Sequence, residues 1–205
     1  FGLLLLLGSI APLAAVFDLG IANAAIRYFS LSETTTDSKH NIWQTSFLLY
    51  LITGLINSTV CYFLISYVAT SQAIFKSLDI DTINTIKLVI PFMAFVNHIC
   101  SHFQFLTQAK QNFAVYNIRI LLVATGNTFL TVWVSSHSQN LGTIVSYQFL
   151  AYLASLIFLV LYALFNIDIK YFLPSYNPNT SKQLLSFGLK NNVGKLVSQL
   201  EAQLS

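Results

Sequence analysis

The chain has 205 residues, 55% of them hydrophobic and only 8% Asp, Glu, Lys or Arg, with a mean hydropathy of +0.67. Water-soluble domains carry about a quarter charged residues, so the composition excludes a soluble domain. Ten basic and seven acidic side chains leave a net charge of +3, too small to point to nucleic acid.

The first apolar segment, 2–30, exceeds the about 20 residues that span a bilayer. The chain opens at Phe1 already inside this run and closes inside a helical pattern, so a piece of a longer protein is expected. Within "AVFDLGIANAAIRYFS" (15–30) sits Asp18. An ionised carboxylate at mid-membrane costs about 2.5–3.5 kcal/mol on insertion scales. Gly8, Ala11, Ala15, Asp18, Ala22 and Ala25 follow at steps of three and four, which on one helix makes a small-residue seam that a second helix can approach. Asp18 is then either hydrogen-bonded in packing or a coupling group for a cation. Arg27, nine residues on, falls about 180° round the helix and reads more readily as snorkelling than as binding cargo.

The second span is 42–70 and the third 83–107. The third carries a polar stripe of Lys87, Ala94, Asn97, Ser101, Gln104 and Gln108, interrupted by Ile90, with Pro91 expected to kink it. His98 and His102 have the spacing of a metal pair but lack a third ligand; they read as bonding between helices or lining a hydrated cavity. "DID" (79–81) reads as a helix start at Asp81. In the fourth span, 113–135, Arg119 lies about a turn and a half from the start, where snorkelling and lumen-facing readings are equally open. The fifth, 141–167, offers Gln148, Tyr152, Ser155 and Tyr162 for interhelical hydrogen bonds. Cys61 and Cys100 lie in apolar runs and read as small hydrophobes.

Residues 168–181 include two prolines and read as a linker between two bundles. A more polar helical pattern fills 182–205. It places Lys190 about 12 Å and Lys195 about 20 Å beyond Lys182, with Asn191, Asn192, Ser198, Gln199, Glu201 and Gln203 around them. Such a helix lines water or a polar partner, or else lies in the interface. All spans are expected to be helices, because lipid forces every backbone group to pair internally. The expected fold class is therefore an all-α, polytopic transmembrane bundle. Arg27 and Lys39 flank the first break, Lys110 and Arg119 the third, and Lys170 and Lys182 the fifth, against Lys76 and Lys87 at the second. The positive-inside rule puts the odd-numbered breaks in the cytoplasm, and an odd number of spans is expected before Phe1.

"FDLGIANAAIRYFS" (17–30), "LTQAKQNFAVYNIRIL" (106–121) and "LLSFGLKNNVGKLVSQLEAQL" (184–204) resemble the Wzx-type flippases of the MOP exporter superfamily, and the resemblance covers nearly the whole chain. It implies a MOP/MATE-like fold in which residues 1–167 form a six-helix lobe less its first helix. Residues 168–181 would be a cytoplasmic inter-lobe linker, and 182–205 the truncated first helix of the second lobe. It implies alternating-access transport of undecaprenyl-pyrophosphate-linked oligosaccharide across the cytoplasmic (inner) membrane, not enzymatic chemistry. No cofactor is implied beyond a coupling ion, H⁺ or Na⁺. The expected partners are that glycan lipid, the bilayer and polysaccharide-polymerase machinery.

By position, Asp18 and Arg27 match the family's acidic and basic sites in the second helix. Lys190 and Lys195 match the helix that presents cations to the pyrophosphate. Ser205 stands where many relatives have an aspartate. Arg119, Asn97 and Asn191 are further cavity candidates, and Glu201 joins Asp18 as a coupling candidate. A MATE-like drug antiporter and a membrane enzyme acting on prenyl-phosphate sugars are the alternatives. Lysines outnumber acids in the last helix, which favours an anionic cargo, and no catalytic set is visible.

Overall fold

The computed structural model describes residues 19–31, 35–71, 78–138 and 140–204, the stretch 193–204 as helix backbone only. These residues form α1 (Ile21–Ser30), α2 (Thr36–Ser71), α3 (Ile80–Ala109), α4 (Phe113–His137), α5 (Leu141–Leu164), a 3₁₀ turn (Ile169–Tyr171) and α6 (Pro178–Leu204). Helices α2 to α5 are long and apolar enough to cross a membrane. The chain is thus an α-helical, multi-pass membrane bundle.

Side-chain caps fix most helix starts. Asn112, Asn140 and Asn177 each accept from the backbone N–H three residues on, at 3.3, 3.1 and 3.1 Å, satisfying donors the helix cannot pair itself. Asp79 does the same for Thr82 at 3.1 Å. The third span therefore starts at Ile80, with its cap two residues before the expected Asp81. Pro178 takes the first position of α6, where its missing N–H costs nothing. Helix α6 consequently begins four residues before 182, and the linker is shorter than expected.

The first span departs from expectation in a different way. Leu19 and Gly20 have φ of 49° and 71°, left-handed values that no right-handed helix contains, and α1 starts at Ile21. The expected helix 2–30 is therefore not continuous through these two residues, and Ala22 and Ala25 lie on α1. Asp18 itself, with Gly8, Ala11 and Ala15, lies outside the described residues.

Helix α3 packs between α2 and α5, α4 lies against α5, and α1 crosses α3 and α6. One core cluster gathers Trp43 and Tyr50 of α2, Phe105 and Leu106 of α3, Leu159 of α5 and Ala24 of α1. A second, towards the opposite end, joins Cys61, Ile65, Ile86, Ile90 and Val145. The outer face of α4 leaves Ile118, Leu121, Phe129 and Val132 uncovered, as a lipid-facing helix would.

The segment after α5 is tied down. Lys110 Nζ donates to Asn166 Oδ1 (2.8 Å), Gln44 Nε2 to the Leu173 carbonyl (2.9 Å) and the Asn177 N–H to Thr45 Oγ1 (3.3 Å). His40 stacks on Tyr171 with ring centres 3.4 Å apart. The breaks following α1, α3 and α5 therefore share one end of the bundle, which carries Arg27, Lys39, Lys110, Lys170 and Lys182. At the other end Asn140 Nδ2 donates to Thr82 Oγ1 at 2.9 Å.

Candidate functional site

The polar stripe of α3 is half-buried along its length: Lys87, Ala94, Asn97, Ser101, Gln104 and Gln108 are neither sealed in the core nor fully exposed. Arg119 of α4 closes over it. Its Nη2 donates to Asn97 Oδ1 at 2.9 Å and its Nε to Ser155 Oγ at 3.1 Å, so one guanidinium ties α4 to both α3 and α5. Ser155 is fully buried, with Cys100 Sγ 4.0 Å from its hydroxyl.

Depth decides between the two readings of Arg119. At 1.5 Å per residue its Cα lies about 9 Å into α4, whereas Asn97 and Ser155 lie about 18 and 14 Å from the ends of their helices on that side. The side chain reaches inward, away from the cationic end. Snorkelling would run the other way.

Both partners are neutral. Among the described residues the one ion pair is Lys170–Asp168, at 3.9 Å on the surface. A guanidinium has five N–H donors, of which Asn97 and Ser155 occupy Nη2 and Nε, so donors remain for an incoming acceptor. A cation at membrane depth is costly when uncompensated and marks ligand pathways when it occurs.

The two histidines have another role. His98 Nε2 lies 2.8 Å from Thr53 Oγ1, and His102 Nδ1 lies 3.3 Å from Ser46 Oγ. Both rings are buried, and His102 stacks on Phe47 at 4.8 Å. They pin α3 to α2, the interhelical reading, and line no hydrated cavity. Among the described residues no three His, Cys, Asp or Glu side chains are grouped to hold a metal.

The other candidate cations lie at the seam of α1 and α6. Arg27 stacks its guanidinium 4.6 Å from the centre of the Phe187 ring, so it is held by a cation–π contact. Phe187 meets Tyr28 edge-on at 5.9 Å. Lys190 lines a groove with Lys182, and Asn191 is half-buried on the same helix. Lys195 and Glu201 fall on the backbone-only part of α6, outside the described side chains. The structure thus joins Arg119 to Asn97, and sets Arg27 against Phe187, which lines the same groove as Lys190. Lys182 and the ring pair Tyr28–Phe187 were not singled out by the sequence as site residues; aromatics beside a basic helix end were the available signal.

Comparison with protein-family models, curated proteins and solved structures finds no match for this chain.

Proposed function

We propose that the chain belongs to a Wzx-type transporter of the MOP superfamily that moves a prenyl-pyrophosphate-linked oligosaccharide by alternating access. The observation that carries this reading is Arg119, held at membrane depth by two neutral groups with donors to spare. A pyrophosphate cannot enter hydrocarbon unaccompanied, because burying an ionised group unpaired is prohibitively expensive. One cation at about 4 Å and an effective dielectric near 20 contributes about 4 kcal/mol before desolvation, enough to offset part of that penalty without trapping the cargo. Ser101, Gln104 and Gln108 continue the stripe from Asn97 and suit glycan hydroxyls. A cationic drug, the cargo of a MATE-like antiporter, would be repelled by the same arginine. The cation-rich end is the cytoplasmic one under the positive-inside rule, which fits the inner membrane, and a proton or sodium ion at Asp18 or Glu201 is the coupling step this reading assigns.

The test is complementation of a strain whose surface glycan depends on this gene. Arg119→Gln keeps hydrogen bonding but removes the charge, and is expected to cut export at least about tenfold with unchanged membrane abundance. Arg119→Lys is expected to retain part of it. Full export by Arg119→Gln removes the anionic-cargo reading.

A further inference from the structure

The groove beside α6 is a site of its own. It has a volume of about 570 Å³, within the range of small-ligand pockets. Lys182, Ser186 and Lys190 follow at steps of four, so they share one face of α6. The two lysines are about 12 Å apart along the axis, and long flexible ammonium arms can converge on one group placed over Ser186. Asn179 and Gln183 add amide donors to the lining. Among the described residues the lining contains no carboxylate and neither lysine is in an ion pair. Arg27, stacked on the Phe187 ring that forms part of the wall, supplies a third positive charge nearby.

Two ammonium groups, a hydroxyl and two amides make a donor-rich cradle with apolar ring edges beside it. That is the complement of a phosphate ester: an acceptor-only head with hydrocarbon attached. The groove starts in the first turn of α6, at the cation-rich end, where acidic head groups of a bilayer lie and attract Lys and Arg. It shares no residue with the Arg119 node.

We propose that this groove binds a phosphate group, as the head group of an acidic phospholipid or as the free anion, and that the bound phosphate braces α6 against α1. Lys182 and Lys190 hold the phosphate oxygens from α6, and Tyr28 walls the groove from α1.

The purified full-length protein is placed in nanodiscs of phosphatidylcholine alone or with a third phosphatidylglycerol, and thermal unfolding is followed. In phosphatidylcholine, inorganic phosphate is also titrated to 10 mM at constant ionic strength. Phosphatidylglycerol is expected to raise the midpoint by several degrees, and Lys182→Gln/Lys190→Gln to lose most of that rise. Lys170→Gln, at the same end but outside the groove, keeps it, and Lys182→Arg/Lys190→Arg restores it. A rise with phosphatidylglycerol alone assigns the head group as ligand; the same rise with inorganic phosphate assigns the free anion. No rise with either, or an equal rise in the double Gln variant, overturns the site. Arg119→Gln is expected to keep the full rise, so failure of the transport reading leaves this result intact.

Discussion

Gly20 and Gly188 meet backbone to backbone where α1 crosses α6. A Cβ on Gly20 would overlap the Gly188 carbonyl, and one on Gly188 would overlap the carbonyl of Leu19. Gly20 also holds φ at 71°, a region that costs an L-residue about 1–2 kcal/mol. Backbone cannot swing aside as a flexible side chain can, so overpacking here belongs in the range of about 1–3 kcal/mol. Gly20→Ala is therefore expected to destabilise more than Gly188→Ala, which carries the clash without the torsional cost. Unfolding of the purified variants in mixed detergent checks the order. If Gly188→Ala is the worse of the two, the left-handed turn is not what makes Gly20 necessary.

Arg119 invites separation of stability from transport. Interhelical hydrogen bonds in membrane proteins average about 0.6 kcal/mol, with a maximum near 1.7, and charged ones belong towards the top. A double-mutant cycle of Arg119→Met with Asn97→Ala, each of which removes the bond, is expected to give a coupling of about 1 kcal/mol, since the two groups are in direct contact. Arg119→Met gives up both bonds but also removes the cost of a charge at depth, about 2.5–3.5 kcal/mol on insertion scales. Its net effect on unfolding is expected to stay within about 1 kcal/mol of wild type while export fails. A loss well beyond that would mean the guanidinium is needed chiefly to hold α4 in place.

The spans expected at 83–107, 113–135 and 141–167 were legible in the sequence to within three residues, because length and hydropathy dominate where backbone groups must pair internally, whereas α2 starts at Thr36, six residues before the expected 42. Chain-end details followed from local chemistry only when a cap was recognised. Asn177 followed by Pro178 was such a signal, and reading 168–181 as a uniform linker passed over it. The break at Leu19–Gly20 was not legible, since an apolar run with a glycine is compatible with a continuous helix. The turn meets Gly188, far along the chain, in a close backbone approach that only the structure shows. The direction of Arg119 was likewise open from sequence. A side chain near a helix start can turn either way, and Asn97 and Ser155 on two other helices settle it. The histidine pair was legible in outline, as the missing third ligand left bonding between helices as one of its readings.

Lys110 should titrate below the ordinary lysine value of 10.5, first because it is partly desolvated and second because Lys39 lies near it. The folded state then holds its proton less tightly than the unfolded chain. Between the lowered value and 10.5 the unfolded chain binds more protons, so this group makes stability rise with pH across that window, and the contribution is lost as pH falls through the lowered value. Lys39→Gln removes the second cause alone. Titration of the lysine Nζ signal by NMR is expected to show Lys110 moving part of the way back towards 10.5 in that variant. An unchanged midpoint would leave desolvation as the whole cause.

The strap between α5 and α6 makes the last prediction. Its contacts are of two kinds: polar ones that fix its course, from Gln44 to the Leu173 carbonyl and from Asn177 to Thr45, and rings that anchor it, Tyr171 on His40 and Phe172 against Trp43 and Phe103. Capping by Asn177 is worth about 1 kcal/mol, so Asn177→Ala should fray the first turn of α6 and speed hydrogen exchange at the Thr180 and Ser181 amides about fivefold, leaving 168–173 protected. Phe172→Ala removes apolar contact with a fully buried tryptophan and should do the reverse, raising exchange across 169–173 while α6 keeps its cap. If either variant loosens both regions together, strap and helix start open as one cooperative unit, and the two kinds of contact do not act independently.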